Sequence, residues 1–363
     1  MHIAIIGCGQ LSRMLALAGI PMGFKFSFIA EEGEDNRCVD GLGTVVWWRP
    51  GTSVRELYEA LGRPDRLTVE KEQVDVSLLH ALECFCPVHP NPKAFATCQH
   101  RHREKQLLDS LEIPCSPYLY GQPSNVSTAE IYLPVVVKSC REGYDGKNQW
   151  VLKCQKDIDA FRLQASEEHY IVEKLIPFDI EVSQVSVRSA NGEVRHYPLA
   201  ENHHEQGILK QSVAPAANIS ESLTLVAQEY ICRIMNSLDY VGVMAMECFV
   251  VNSQLLINEL APRVHNSGHW TQSGSATCQF ENHLRAIAEL PLGSTRSSGV
   301  TAMVNLIGTE EPPLNSLMAQ SSLHWYDKVV RPNRKLGHIN IVDENYDSLL
   351  KQIDSLHSIT NAA

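Results

Sequence analysis

The chain opens on a short apolar run, His2-Ile-Ala-Ile-Ile-Gly7, whose β-branched residues predict a buried strand. Gly7 and Gly9 then allow a tight turn, and Leu11, Met14, Leu15 and Ala18 recur at helical spacing over residues 10–19. Residues 24–30 predict a second strand, and strand, turn, helix and strand in that order predict a parallel α/β sheet. Pro87, Pro90 and Pro92 break the chain near residue 90, and the charged stretch 100–111 predicts a helix that stops ahead of Pro114. From Pro134 the texture changes to short strands at 135–138, 149–153, 170–173 and 180–187, with a glycine loop, Gly143-Tyr-Asp-Gly146, between the first two. Residues 220–238 read as an amphipathic helix with Ser220 as its N-cap. Residues 243–251 and 254–260 predict a hairpin around Asn252-Ser253, and the tail after Gly299 holds an apolar strand at 301–307 and a basic segment. There are no internal repeats or low-complexity tracts.

A length of 363 residues implies several domains, and 44% hydrophobic residues supply ample core. Lys+Arg 31 against Asp+Glu 42 leaves a net charge of −11, which excludes a non-specific nucleic-acid binder, since displacing counterions takes a surplus of cations. Any cations that hold an anionic ligand must be gathered locally. The 11 cysteines are odd in number and show no zinc spacing, so they read as free, mostly buried thiols. The opening residues carry no basic stretch typical of a secretory leader. No run approaches the roughly 18 apolar residues that span a bilayer. The expected setting is a reducing cytoplasm, with no membrane partner.

Gly7-Cys-Gly9-Gln10 is not a full dinucleotide fingerprint, because Ser12 stands where the third glycine belongs and no acidic residue cleanly closes the next strand. A turn feeding a helix N-terminus, able to hold a phosphate, suits it better than a nicotinamide site. The sharper signal is Glu247 with Asn258-Glu259, acids that interrupt strongly apolar strands. Hairpin geometry leaves two outcomes. A two-residue loop puts Glu259 on the face opposite Glu247, whereas a three-residue loop sets the two directly across from one another. Directly opposed carboxylates repel unless a cation lies between them, and few hard oxygen ligands suit Mg²⁺ shared with nucleotide phosphates. Two exposed edge-strand acids would fit their apolar setting poorly. Just downstream, Arg263, His265, Asn266, Ser267 and His269 fill one loop with donors, the Arg offering a planar fork for a small oxyanion and His a proton near neutral pH. Lys138 ends an apolar strand ahead of the glycine loop, an arrangement suited to covering polyphosphate.

Together these segments resemble a known family. Gly7-x-Gly-Gln-Leu11, Lys138 with Gly143-Tyr-Asp-Gly146, Glu201-Asn-x-His204-x-x-Gly-Ile-Leu209, the block from Asn258 to Thr271 and Arg331-Pro-x-Arg-Lys-x-Gly-His338 are similar to N5-carboxyaminoimidazole ribonucleotide synthetases, ATP-grasp ligases also named as the ATPase subunit of phosphoribosylaminoimidazole carboxylase. The resemblance runs from residue 1 to about 345 and is most specific over 258–271. It implies an α/β protein, α+β overall. A Rossmann-like domain at 1–99 would precede an ATP-grasp domain at 100–298, with a small β-containing C-terminal domain at 299–363. It further implies carboxylation of 5-aminoimidazole ribonucleotide (AIR) with ATP and bicarbonate through carboxyphosphate, in purine synthesis, with Mg²⁺ and as a homodimer.

Carried over residue by residue, the resemblance implies that Arg101, Lys138, Glu181, His204, Asn258 and Glu259 contact ATP. The same holds for Gly143, Tyr144, Asp145, Gly146, Lys147 and Gln149 of the glycine loop. Glu173, Lys174, Leu175 and Ile176 would form the hinge at the adenine edge, and Glu181 would hold the ribose hydroxyls. Glu247 and Glu259 would carry Mg²⁺. Arg263, His265 and Asn266, with Lys138, would act on bicarbonate and carboxyphosphate. Gly9, Gln10, Lys328, Arg331, Arg334 and Lys335 would seat the AIR 5′-phosphate. Three positions depart from the family: Glu142 and Asn148 replace glycines of the loop, and Ser12 replaces one in the first helix. Asn148 suits a positive φ if one is needed there. Other readings are an ATP-grasp ligase with another acceptor, such as one formylating a glycinamide ribonucleotide, which the block 258–271 opposes, and a nucleotide-binding protein weakened by its altered loop.

Overall fold

A computed structural model describes residues 1–122, 133–141, 148–165 and 169–360. Its first layer is the expected parallel sheet. Strand His2–Ile6 lies between Lys25–Glu31 and Arg66–Val69, with Thr44–Trp48 on the far side of Lys25–Glu31. The all-apolar run 3–6 is fully buried because helices cover both faces of such a sheet. Helix Gln10–Gly19 packs Leu11, Met14 and Leu15 into the core on one face; Val76–Glu83 packs Leu78, Leu79 and Leu82 on the other.

The main body is a nine-stranded antiparallel sheet. The hairpin Gly242–Val251 and Gln254–Ala261 forms one edge, followed inward by Ile180–Arg188, Ala200–Glu205 and Ile208–Ala214. The C-terminal strands have no sheet of their own. Val300–Ile307 pairs with Ile208–Ala214, and Lys335–Asp343 and Ser321–Trp325 continue from it. The expected C-terminal domain is thus an extension of the central sheet, backed by helix Tyr346–Thr360 through Leu349, Ile353 and Leu356. Helix Glu221–Ser237 is as the sequence predicts: the Ser220 hydroxyl accepts from Leu223 N, and Leu223, Ala227, Ile231 and Ile234 form its buried stripe.

A third, four-stranded antiparallel sheet runs in the order Tyr118–Gly121, Tyr170–Lys174, Val135–Ser139 and Gln149–Leu152. It is backed by helix Gln155–Gln164, with Ile158 and Phe161 in its core. The groove between this small sheet, the hairpin and helix Arg101–Ser110 gathers most of the candidate residues.

Candidate active site

The hairpin resolves the choice left by its sequence. Val251 pairs with Gln254 across a two-residue turn whose Asn252 and Ser253 both have positive φ, 47° and 61°. The register stays constant through Cys248 and Ile257 and then shifts, so that Glu247 faces Glu259. Asn258 is the extra residue of a β-bulge, a device that re-aims a side chain next to a functional site. The loop is therefore the short one, and the bulge rather than a third loop residue opposes the carboxylates.

Asn258 uses its displaced position. Its carbonyl accepts from Lys105 Nζ at 3.4 Å and its Oδ1 from Lys138 Nζ at 3.2 Å. Both ammonium groups also hold Glu173, at 2.8 Å from Lys105 and 2.5 Å from Lys138. Burial pushes the Glu173 carboxyl up, but Lys138 and Lys105 together hold it down at about 2. Lys138 comes from the small sheet and Asn258 from the large one, so this contact ties the two across the groove.

The metal candidates carry unequal charge states. Burial, then the charge on Glu259, pushes the Glu247 carboxyl up to about 7. Burial acts on Glu259 too, but Arg101, whose Nη1 lies 3.1 Å away, and Lys138 hold its carboxyl below the usual range. Among the described residues no group of three His, Cys, Asp or Glu forms a metal cage. Two opposed, half-buried carboxylates fit a hard divalent cation that takes its remaining ligands from phosphate and water.

Glu181 and His204 sit on neighbouring strands and form an ion pair through His204 Nδ1. Burial disfavours the imidazolium, yet the hydrogen bond to Glu181 raises the His204 pKa. Lys174 and Leu175 lie at the groove mouth with their N–H groups bonded to the Pro117 and Pro134 carbonyls, and Ile176 is half-buried beside them. Gln149 pairs with Lys138 across the small sheet, and Asn148 has φ 52°, the conformation expected of it. Gly143, Tyr144, Asp145, Gly146 and Lys147 lie outside the described residues.

On the other side of the carboxylate pair is the donor loop. His265 Nδ1 lies 3.7 Å from Glu247 Oε1 and 3.0 Å from Ser267 Oγ. Burial and then the Arg263 charge drive its pKa well below the ordinary histidine value, leaving a neutral ring. Arg263 donates to Glu72 at 3.1 Å. Asn266 exchanges two hydrogen bonds with Asn305, at 3.1 and 2.7 Å.

The basic segment divides. Lys328 donates to Gln10 Oε1 at 2.7 Å, and Lys335 is close enough to Glu247 and His204 for its charge to act on both. Arg334 turns back to the Val329 carbonyl and Asp35, and Arg331 is exposed. The backbone of the glycine turn does not stand ready for phosphate. Gly9, Leu11 and Ser12 N–H groups donate to the buried Glu70 carboxylate at 2.9, 3.2 and 3.3 Å. That carboxylate also explains the glycines, since a Cβ on Gly9 would lie 2.6 Å from Glu70 Oε1. Of the turn, the Gln10 side chain is what meets the basic segment.

Sequence reasoning missed Glu70, Glu72 and Lys105. The two acids follow strand Arg66–Val69, at the carboxyl end where parallel sheets build sites. Arg101, Glu104, Lys105 and Leu108 share one helix face by their spacing, and that face is the buried one.

Three family models together match nearly the whole chain. These are the ribonucleotide synthetase preATP-grasp domain over residues 1–99, the ATP-grasp domain over 106–280, and the phosphoribosylaminoimidazole carboxylase C-terminal domain over 301–352. The N5-carboxyaminoimidazole ribonucleotide synthase of Pseudomonas aeruginosa is 40% identical over 367 residues, with 100% of both chains covered. That of Escherichia coli is 38% identical over 362 residues, with 98% of this chain and 94% of the relative covered. The crystal structure of the Thermus thermophilus synthetase superposes with a TM-score of 0.90 at 41% identity, covering 98% of this chain and 97% of that one. A structure of the Aspergillus clavatus synthase in complex with ADP and 5-aminoimidazole ribonucleotide superposes with a TM-score of 0.89 at 25% identity, covering 100% and 99%. With full-length identity at this level and three such models matched along its length, the chain belongs to the N5-carboxyaminoimidazole ribonucleotide synthase family of ATP-grasp enzymes.

Proposed function

We propose that the chain is an ATP-dependent carbon–nitrogen ligase that carboxylates the 5-amino group of AIR with bicarbonate, in purine biosynthesis. The observation that carries this reading is where the Glu247–Glu259 pair sits. On one side are Arg101 and Lys138, cations placed for a nucleotide; on the other are His265 and Arg263, donors placed for a small oxyanion.

Bicarbonate is a poor electrophile. Attack of its oxygen on the ATP γ-phosphorus releases ADP and gives carboxyphosphate, whose carbon then carries a leaving group. The AIR amine attacks that carbon, phosphate departs, and the amine loses one proton. The protein mainly positions and neutralises. Arg101 and Lys138 bear on the transferred phosphoryl group, and the His204–Glu181 pair faces the nucleotide. Arg263, His265 and Asn266 orient the bicarbonate oxygens, and the neutral His265 ring can take a proton. Glu247 and Glu259 would hold Mg²⁺, which supplies neutralisation of phosphate charge when bound. Lys328 with Gln10, and Lys335, supply positive charge for the AIR phosphate. The cytoplasm is the proposed location; no described helix is long and apolar enough to cross a membrane. A homodimer is the assembly the family resemblance implies, and light scattering tests it.

Phosphate release from Mg-ATP, with and without bicarbonate and AIR, tests the function. Release that requires bicarbonate, rises with AIR and vanishes in Glu259→Ala is the expected result. Release indifferent to AIR would mean a different acceptor. Bound ATP without turnover would leave a nucleotide-binding protein.

A further inference from the structure

The loop that carries Arg263, His265 and Asn266 has little regular structure of its own, so something outside it must hold its shape. Gln279, the first residue of helix Gln279–Ile287, is fully buried and bonds both backbone groups of His265. Its Oε1 accepts from His265 N at 3.0 Å, and its Nε2 donates to the His265 carbonyl at 2.7 Å. The second Nε2 hydrogen faces His269 Nδ1 at 3.0 Å, which places the His269 proton on Nε2. Gln279 is itself held, because its N–H donates to Thr271 Oγ1, which in turn donates to the Gly268 carbonyl. Gly268 is the point of closest approach: a Cβ there would lie 2.7 Å from Gln279 Oε1.

We propose that Gln279 is a positioning residue for the carboxylation, clamping the His265 main chain so that the ring stays between Glu247 and the bicarbonate site. The inference rests on the oxyanion role assigned to His265 above. A side-chain amide that satisfies both main-chain groups of one residue acts as a single-residue strand partner. It leaves the loop no rotation about His265 without breaking two buried hydrogen bonds. Misplacing a reacting group by about 1 Å costs on the order of 100-fold in rate, so loss of the clamp reaches the chemistry before it reaches the nucleotide, which binds on the other side of the carboxylate pair.

The test compares Gln279→Met, Gly268→Ala, His265→Asn and Gln279→Met/His265→Asn. The readouts are kcat/KM for bicarbonate, ADP affinity and thermal midpoint. Gln279→Met, and independently Gly268→Ala, are expected to lower kcat/KM for bicarbonate by about 10–100-fold with ADP affinity within about twofold. In the double variant the two losses should not add, because both act through one ring. Gln279→Glu, which keeps the acceptor for His265 N–H and loses the donor to its carbonyl, serves if Gln279→Met fails to fold and should show the same split. Wild-type bicarbonate kinetics, equal losses for ADP and bicarbonate, or additive losses would overturn the clamp. Unchanged kinetics in His265→Asn would instead remove the role of His265, a failure distinct from the first.

Discussion

Lys105 shows how much depends on one side chain that looks like surface charge in the sequence. It is 1% exposed, and with Lys138 it keeps the buried Glu173 ionised. Removing one partner of such a pair leaves an uncompensated buried charge and costs about 3–5 kcal/mol. Lys105→Met is therefore expected to lose about that much in urea unfolding at pH 7, and clearly less in a Glu173→Gln background. Equal losses in both backgrounds would show that Lys105 acts elsewhere. The pH dependence has a definite sign. The Glu173 carboxyl is lowered from 4.5 to about 2 on folding, so its contribution is complete above pH 4.5 and fades as pH falls towards 2. In Lys105→Met the folded value moves back towards 4.5, so this acid limb should be shorter and shallower than in wild type.

The bulge at Asn258 joins two requirements that a regular strand cannot meet together: Glu259 opposite Glu247, and an amide aimed at Lys138. Deleting Asn258 tests which of the two the bulge serves. Without the extra residue the constant register of the turn continues, and Glu259 still falls opposite Glu247. The carboxylate pair should survive, while Lys138 loses its Oδ1 partner and Lys105 its carbonyl. A charge-assisted hydrogen bond contributes about 1.5–3 kcal/mol, so ADP affinity should fall about 10–100-fold with the fold retained. ADP binding at wild-type strength would mean that the bulge does not serve the nucleotide.

Across the molecule the preATP-grasp sheet is fastened to the central sheet by His283. Its Nδ1 accepts from Val243 N–H at 3.1 Å, so the proton lies on Nε2, which donates to Thr68 Oγ1 at 2.8 Å. Burial drops the His283 pKa from 6.5 to about 3, so the unfolded chain takes up this proton first and wild type loses the stability as pH falls from 6.5 towards 3. His283→Asn should cost about 1–3 kcal/mol at pH 7.5. Below pH 6.5 that cost should shrink by about 1.4 kcal/mol per pH unit, since the variant has no such proton to gain. Urea unfolding at pH 7.5, 6 and 5 measures the difference, and a gap constant with pH would show that His283 is not buried as a neutral ring.

What the sequence by itself determined is the local structure and the chemical inventory. Periodicity placed the opening strand and helix, the Ser220-capped helix and the hairpin, because burial of one face imposes its spacing on the chain. The acids among apolar residues at 247 and 259, and the donor-rich loop after them, were visible for the same reason: their types contradict their setting. Only the tertiary structure decided the rest. Whether Glu247 meets Glu259 hung on a bulge that shifts register by one residue without changing the apolar pattern. Glu70, Glu72, Lys105 and Gln279 were invisible as site residues because their partners lie on elements far along the chain. A buried charge or amide has no periodic signature until the fold supplies what it pairs with. The C-terminal strands joined the central sheet by the same logic, since strand pairing between 208–214 and 300–307 is a long-range choice made by backbone hydrogen bonds common to every residue.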